Sequence, residues 1–201
     1  MSFAVCAAWL TACSGLAPPS TGPSSSALGE GSPTQSAVAA TTLPEPWAAL
    51  ERPIDLPSAQ TGECAAAQPR SISKAVGPGA GVGPAYAVGL SPEGKIDFRT
   101  VTPTSDGYRY QKVMWLSTGD YSGPVLVRGV RLDDSGVALF RGQDEIGSAL
   151  LLPESGWATT DGLEAGWRMW LSAIGVSHAG CYLLQVDGTD FTEQIIFQAV
   201  T

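Results

Sequence analysis

Residues 180–199 read Gly180-Cys181-Tyr182-Leu183-Leu184-Gln185-Val186-Asp187-Gly188-Thr189-Asp190-Phe191-Thr192-Glu193-Gln194-Ile195-Ile196-Phe197-Gln198-Ala199. Tyr182, Leu184 and Val186 alternate with Leu183, Gln185 and Asp187. That period of two places successive side chains on opposite faces of a strand. Asp187-Gly188 offers residues that tolerate positive φ, and Phe191, Ile195 and Phe197 continue on the way back. The stretch predicts a β-hairpin turning at Asp187-Gly188.

The same rhythm extends upstream. Short apolar runs over 70–76, 84–90, 95–102, 108–117, 123–132, 136–141, 147–152 and 167–174 join 180–187 and 190–199 as predicted strands. Pro92-Glu93-Gly94, Ser122-Gly123-Pro124, Asp134-Ser135-Gly136 and Pro153-Glu154-Ser155-Gly156 punctuate them. Beyond residue 60 no segment sustains helical spacing of apolar residues. Glu45 to Pro53 predicts a turn or two of helix, with Pro46 near its start and Pro53 ending it. Ten short strands predict an all-β fold, a two-layer β-sandwich over residues 47–201, with a partly closed β-barrel as the alternative.

Composition agrees. The chain has 201 residues, of which 24 are Gly and 15 are Pro, and only 15% are charged. Such a balance favours turns and loops over long helices. The formal net charge is −8, and the 11 Lys and Arg are scattered between Arg52 and Arg168. Without a basic run there is nothing to neutralise a phosphate backbone, so nucleic acid is excluded as a partner.

The amino terminus is of another kind. Residues 3–12 are apolar or small, too short a run to span a bilayer but suited to the core of a secretory signal. Leu10-Thr11-Ala12-Cys13 resembles the bacterial lipobox. The resemblance implies cleavage before Cys13, a diacylglyceryl group on its thiol, and a protein anchored to a bacterial membrane on the extracytoplasmic side. Met1-Ser2 carries no positive side chain, and a secretory signal with its usual basic start is expected to begin upstream. Residues 13–46 are dominated by Ser, Thr, Pro, Gly and Ala, a composition expected to remain a disordered tether. The expected organisation is therefore signal peptide 1–12, lipidated tether 13–46 and one β domain 47–201. This layout resembles that of lipoproteins of high-GC bacteria.

With Cys6 in the signal and Cys13 lipidated, Cys64 and Cys181 remain, and in an exported domain they are expected to form a disulfide. Two free thiols are the competing reading. Gly180-Cys181-Tyr182 and the Leu-Leu-Gln-Val that follows resemble the penultimate strand of bacterial immunoglobulin-like domains, which implies an Ig-like sandwich. The pattern departs from antibody domains, where a Tyr stands two residues before the strand cysteine.

Little chemistry is written in the sequence. His178, the only histidine, lies in Ser-His-Ala-Gly with no nucleophile elbow elsewhere, and it reads as a surface residue. Asp133-Asp134 and Asp144-Glu145 flank the 136–141 run and could share a calcium ion, but they read better as solvated hairpin ends. The glycine-rich Gly77-Pro78-Gly79-Ala80-Gly81-Val82-Gly83 lacks the Lys-Ser/Thr of a phosphate loop and reads as a plain loop. No catalytic residue, metal ligand or cofactor is expected. The richest feature is aromatic: Trp157, Trp167 and Trp170 fall within 14 positions. If 167–172 is a strand, Trp167 and Trp170 lie on opposite faces, and an exposed indole beside Arg168 could stack on a sugar ring or a partner side chain. Trp167, Arg168 and Trp170 are thus the candidate ligand-binding residues, with burial of both indoles as the plainer expectation. The expected function is a non-enzymatic binding module of the cell envelope for a protein or glycan. The alternative is a glycoside hydrolase using a spatial carboxylate pair.

Overall fold

The computed structural model describes residues 42–57, 63–143, 145–157 and 162–201. Cys13 and the other residues before 42, where the signal and most of the tether are expected, lie outside these, as does Asp144. A 3₁₀ turn, Trp47–Leu50, leads into twelve strands. These are β1 (Arg70–Ser73), β2 (Gly77–Ala80), β3 (Ala85–Val88), β4 (Lys95–Asp97), β5 (Arg109–Ser117) and β6 (Val125–Arg131). There follow β7 (Leu139–Arg141), β8 (Ile146–Gly147), β9 (Ala149–Leu152), β10 (Arg168–Val176), β11 (Gly180–Asp187) and β12 (Thr192–Val200). No α-helix occurs among the described residues, and none of their helices is long and apolar enough to cross a membrane.

The strands form two packed sheets, a seven-stranded one in the order β1-β2-β3-β5-β10-β7-β8 and a five-stranded one in the order β4-β12-β11-β6-β9. The protein is an all-β sandwich, and part of it curls strongly into a half-barrel. Every pairing is antiparallel except β4 with β12. The core lies between the sheets. From one come Trp115, Trp170, Ile174 and Val176; from the other Val127, Tyr182, Leu184, Val186, Ile195 and Phe197. Trp115 and Trp170 are directly opposite in the β5–β10 ladder, and Tyr182 stacks on Phe197 across the hairpin with ring centroids 5.3 Å apart.

The terminal hairpin forms, but its turn differs from the two-residue expectation. Asp187 stays in the ladder opposite Thr192, and 188–191 make a four-residue loop closed by the Gly188 amide donating to the Phe191 carbonyl at 3.0 Å. Gly188 is required for closeness, since a Cβ there would meet the Phe191 ring at 2.1 Å. The glycine-rich segment corrects a second expectation. Gly77–Ala80 is a strand, β2, and only the residues after it form a loop. Gly79 permits this because a Cβ would meet Ile72 Cδ1 at 2.6 Å and Tyr86 Cβ at 3.1 Å. A strand of such low intrinsic preference survives because β1 and β3 pair with it on both sides. Several predicted strands are shorter than expected, 95–102 contracting to Lys95–Asp97 and 136–141 to Leu139–Arg141.

The outer face of the five-stranded sheet is covered by chain from before β1. Cys64 is disulfide-bonded to Cys181, with Cα atoms 5.4 Å apart, and the Ala67 amide donates to the Ile196 carbonyl at 2.7 Å. Cys181 has the opposite parity to the core residues Tyr182 and Leu184, so the bond pins this chain to the outside of the sheet. An antibody-type disulfide instead bridges the two sheets. Further upstream, Gln185 donates to the Pro53 carbonyl at 3.1 Å and accepts from the Asp55 amide at 3.1 Å.

Candidate functional site

Of the three residues singled out in the sequence, the structure separates one from the other two. Trp170 is fully buried, and its indole Nε1 donates to the Pro153 carbonyl at 3.1 Å. Arg168 shares its face and is buried as well. The Arg168 guanidinium donates to the carbonyls of Tyr121 (2.8 Å), Gly123 (2.9 Å), Glu154 (3.0 Å) and Ser122 (3.1 Å), and to Ser117 Oγ (3.2 Å). It also packs over the Trp170 and Tyr121 rings, 5.0 and 5.5 Å from their centroids. Burial lowers its pKa from the ordinary arginine value. Arg168 and Trp170 therefore hold the fold and have no free face for a ligand. Trp167, just before β10 and of opposite parity, is half-buried and borders open space.

That space is a cleft of about 760 Å³ at one end of the sandwich. Four loops border it: 81–84 after β2, 118–121 after β5, 164–167 before β10, and 190–191 in the terminal hairpin. Tyr86, Trp167 and Phe191 supply aromatic surface, and Asp120, Glu164 and Asp190 supply exposed carboxyl groups. No Lys or Arg lines it.

Three of the loops are braced by charged side chains set behind them. Arg168 holds 117–124 from beneath, as its carbonyl contacts show. Arg52 holds 188–192, its Nη1 donating to the carbonyls of Gly188 (2.9 Å) and Phe191 (3.1 Å) and to Thr192 Oγ1 (3.1 Å). Behind that loop the fully buried Asp187 accepts from Thr192 Oγ1 at 2.8 Å and Arg128 Nη2 at 2.9 Å, with Arg52 at 3.5 Å. The third brace is Glu193. It sits on the core face of β12 with Ile195 and Phe197 and is only 6% exposed. Its Oε2 accepts from the Val82 amide at 2.7 Å and the Gly83 amide at 3.3 Å, while Oε1 has no hydrogen-bond partner among the described residues. Burial pushes its carboxyl up to about 7, against the Val82 and Gly83 amides and the Arg70 guanidinium, which pull it down. The fourth loop is held by close approach, since a Cβ on Gly119 would meet the Ala165 carbonyl oxygen at 2.6 Å.

A sequence signal for Glu193 did exist. Counting back by twos from Phe197 and Ile195 places it on the apolar face of its strand. The same parity, running from Trp170, marks Arg168 as an inward charge.

The remaining candidates fall elsewhere. His178 is exposed, its Nδ1 3.0 Å from Ser177 Oγ. Asp133 and Asp134 are ion-paired with Arg131, and among the described residues no cluster of His, Cys, Asp or Glu could hold a metal ion. A second hollow, about 550 Å³, lies over the outer face of β5 and β10, where the Arg141 guanidinium stacks on Tyr110 at 4.6 Å and Leu171 is 61% exposed.

The fold and cleft thus define a β-sandwich with a braced, aromatic-lined and acidic opening at one end. Comparison with family models, with curated proteins and with solved structures finds no match.

Proposed function

We propose that this protein is a non-enzymatic binding module of a bacterial cell envelope, anchored on the extracytoplasmic side through lipid on Cys13, and that the cleft is its ligand site and takes a glycan. The observation that carries the ligand half is the half-buried Trp167, which lines the same cleft as Tyr86 and Phe191. Aromatic faces bind sugar rings through their apolar C–H surfaces and need little ordering when already fixed. The anchoring half rests on Leu10-Thr11-Ala12-Cys13 and the tether composition after it. A hydrolase would need a raised carboxyl open to the substrate. Glu193 has the raised value, yet it faces the backs of Val82 and Gly83 and is closed to solvent. Binding is therefore the reading the site chemistry favours.

The ligand half is tested by titrating the full chain, in a detergent without a sugar headgroup, with soluble wall polysaccharide fragments. Saturable binding that Trp167→Ala abolishes is the expected result, and binding unaffected by that change removes the cleft assignment. The anchoring half is tested by metabolic labelling with a palmitate analogue. Label lost in Cys13→Ala is expected; label retained in that variant refutes it.

A further inference from the structure

One wall of the cleft is secured at its tip by a side chain that can change charge. Between β2 and β3 the ladder stops at Ala80 and Ala87, and the Val82 and Gly83 amides reach no backbone carbonyl among the described residues. Their acceptor is Glu193 Oε2, at 2.7 and 3.3 Å. The other side of the tip meets solvent. Val82 is 74% exposed, and its carbonyl accepts from the Arg70 guanidinium at 2.8 Å and the Tyr86 hydroxyl at 3.4 Å. Gly81 and Gly83 flank it with φ of +120° and +98°, so the backbone can turn on either side of the tip with no Cβ to oppose it. Pro84 is fixed separately, its carbonyl accepting from the Thr118 amide at 3.0 Å. The unit free to move is therefore Gly81–Gly83, of which Val82 and Gly83 line the cleft.

Behind the tip the Glu193 carboxyl lies on the core face of β12. Val186 is opposite it on β11 and Ile195 is two residues further along, and neither carries a charge. Arg70 on β1 is the charged group whose field reaches it, and Tyr86 on β3 is the other titratable group at the tip. Oε1 has no hydrogen-bond partner among the described residues. A protonated carboxyl suits this place, since it offers a carbonyl oxygen to the two amides and brings no charge into the core. Ionisation leaves a buried charge with one oxygen bare, which is costly. The least disruptive route to water is for the tip to lift, because Glu193 alone holds its amides.

We infer that Glu193 is a pH-governed latch on this wall of the cleft: its protonated carboxyl seats the Val82–Gly83 tip, and its ionisation lets the tip lift and remodels the opening. The latch stands whether or not the cleft takes a glycan.

The sign follows from linkage. The seated carboxyl holds its proton up to about 7, against an ordinary 4.5. Seating is thus fully supported below 4.5 and loses that support as pH rises through 7. Between about pH 5.5 and about pH 8 the opening equilibrium should grow about 25-fold.

Amide hydrogen exchange of the full chain in detergent, resolved by residue with NMR over this range, tests it once the intrinsic pH dependence of exchange is divided out. Opening at Val82 and Gly83 should rise about 25-fold, while amides of the β11–β12 ladder open far less often at every pH. In Glu193→Gln the opening of both should stay constant within about threefold. Opening that does not change with pH in the unmodified chain overturns the latch. An equal rise in Glu193→Gln overturns it too, by placing the titrating group elsewhere. Protection of Val82 and Gly83 equal to that of the ladder would mean that the tip leaves only with the whole domain, and would overturn local release. Should Glu193→Gln fail to fold, the Glu193 side-chain carboxyl resonance of the unmodified chain supplies a second measurement. A midpoint near 7 shared with the Val82 and Gly83 amide shifts is expected, and one near 4.5 overturns the inference. No ligand enters these measurements, so their outcome is separate from that of the glycan titration.

Discussion

Glu193→Gln is the substitution that examines the site's architecture most directly. An ordinary glutamate titrates near 4.5, and burial behind the Val82–Gly83 loop pushes this one up to about 7. A native carboxyl that holds its proton more tightly than the unfolded one contributes stability that is complete below the unfolded value. That contribution is lost as pH rises through the folded value. A displacement of this size corresponds to about 3 kcal/mol between pH 4.5 and pH 8. The side chain is almost wholly buried, so solvent screening trims this only modestly. Glutamine keeps the carbonyl oxygen that can accept from Val82 and Gly83, and it never ionises. Near pH 5 the two proteins should therefore differ by about 1 kcal/mol or less, the worth of one buried hydrogen bond. At pH 8 the variant should be the more stable by about 2–3 kcal/mol.

Denaturant unfolding of the full chain across this range reads the effect, and a melting temperature should carry it as a gap on the order of 4–12 °C at the alkaline end. Subtracting one pH profile from the other cancels every group the two proteins share. The carboxyl groups held low, such as Asp97 at about 2 through the Arg99 side chain, change below this window in any case. Parallel profiles from pH 5 to pH 8 would refute the reasoning, since Glu193 would then have the same affinity for its proton folded and unfolded. A variant that is less stable at every pH by the same amount would equally refute it, by showing the charged form to be the favoured acceptor.

Arg168→Met keeps much of the apolar stem but strips five hydrogen bonds from loops 117–124 and 153–156, leaving buried carbonyls without donors. A loss of about 3–5 kcal/mol in denaturant unfolding is expected, with Arg168→Lys intermediate because one ammonium cannot reach all five acceptors. Trp170→Ala should cost about 3–5 kcal/mol through the cavity it opens, whereas Trp167→Ala at the cleft edge should cost about 1 kcal/mol yet remove glycan binding. Equal destabilisation by the two tryptophan changes would refute the separation of core from site.

Much of the architecture was legible because a half-buried strand announces itself by period alone. Alternation puts Tyr182, Leu184 and Val186 on one face, and all three lie in the core; the expected bond between Cys64 and Cys181 is present. The failures have a common physical origin in partners distant along the chain. Nothing local in Gly77-Pro78-Gly79-Ala80 favours a strand; β1 and β3 impose it. Asp187-Gly188 resembles a tight turn, yet Asp187 remains in the ladder, where Arg128 and Thr192 hold its carboxylate.

The site follows a rule that the same parity could have exposed. Arg168 and Glu193 occupy inward positions of largely apolar faces, on β10 and β12. An ionisable side chain on such a face must be given fixed polar partners, because an unpaired one costs several kcal/mol. Within a sheet the backbone groups are already used by the ladder, so the free carbonyls and amides are those of loops. Inward charges therefore belong at the ends of strands, where they can reach loop backbone. Arg168 begins β10 and Glu193 is the second residue of β12. Each gathers loop groups that would otherwise be unpaired, and in doing so fixes a wall of the same cleft. The polar residues most out of place in the strand pattern are thus those that shape the cleft, while the side chains lining it come from loops, Tyr86 on β3 excepted.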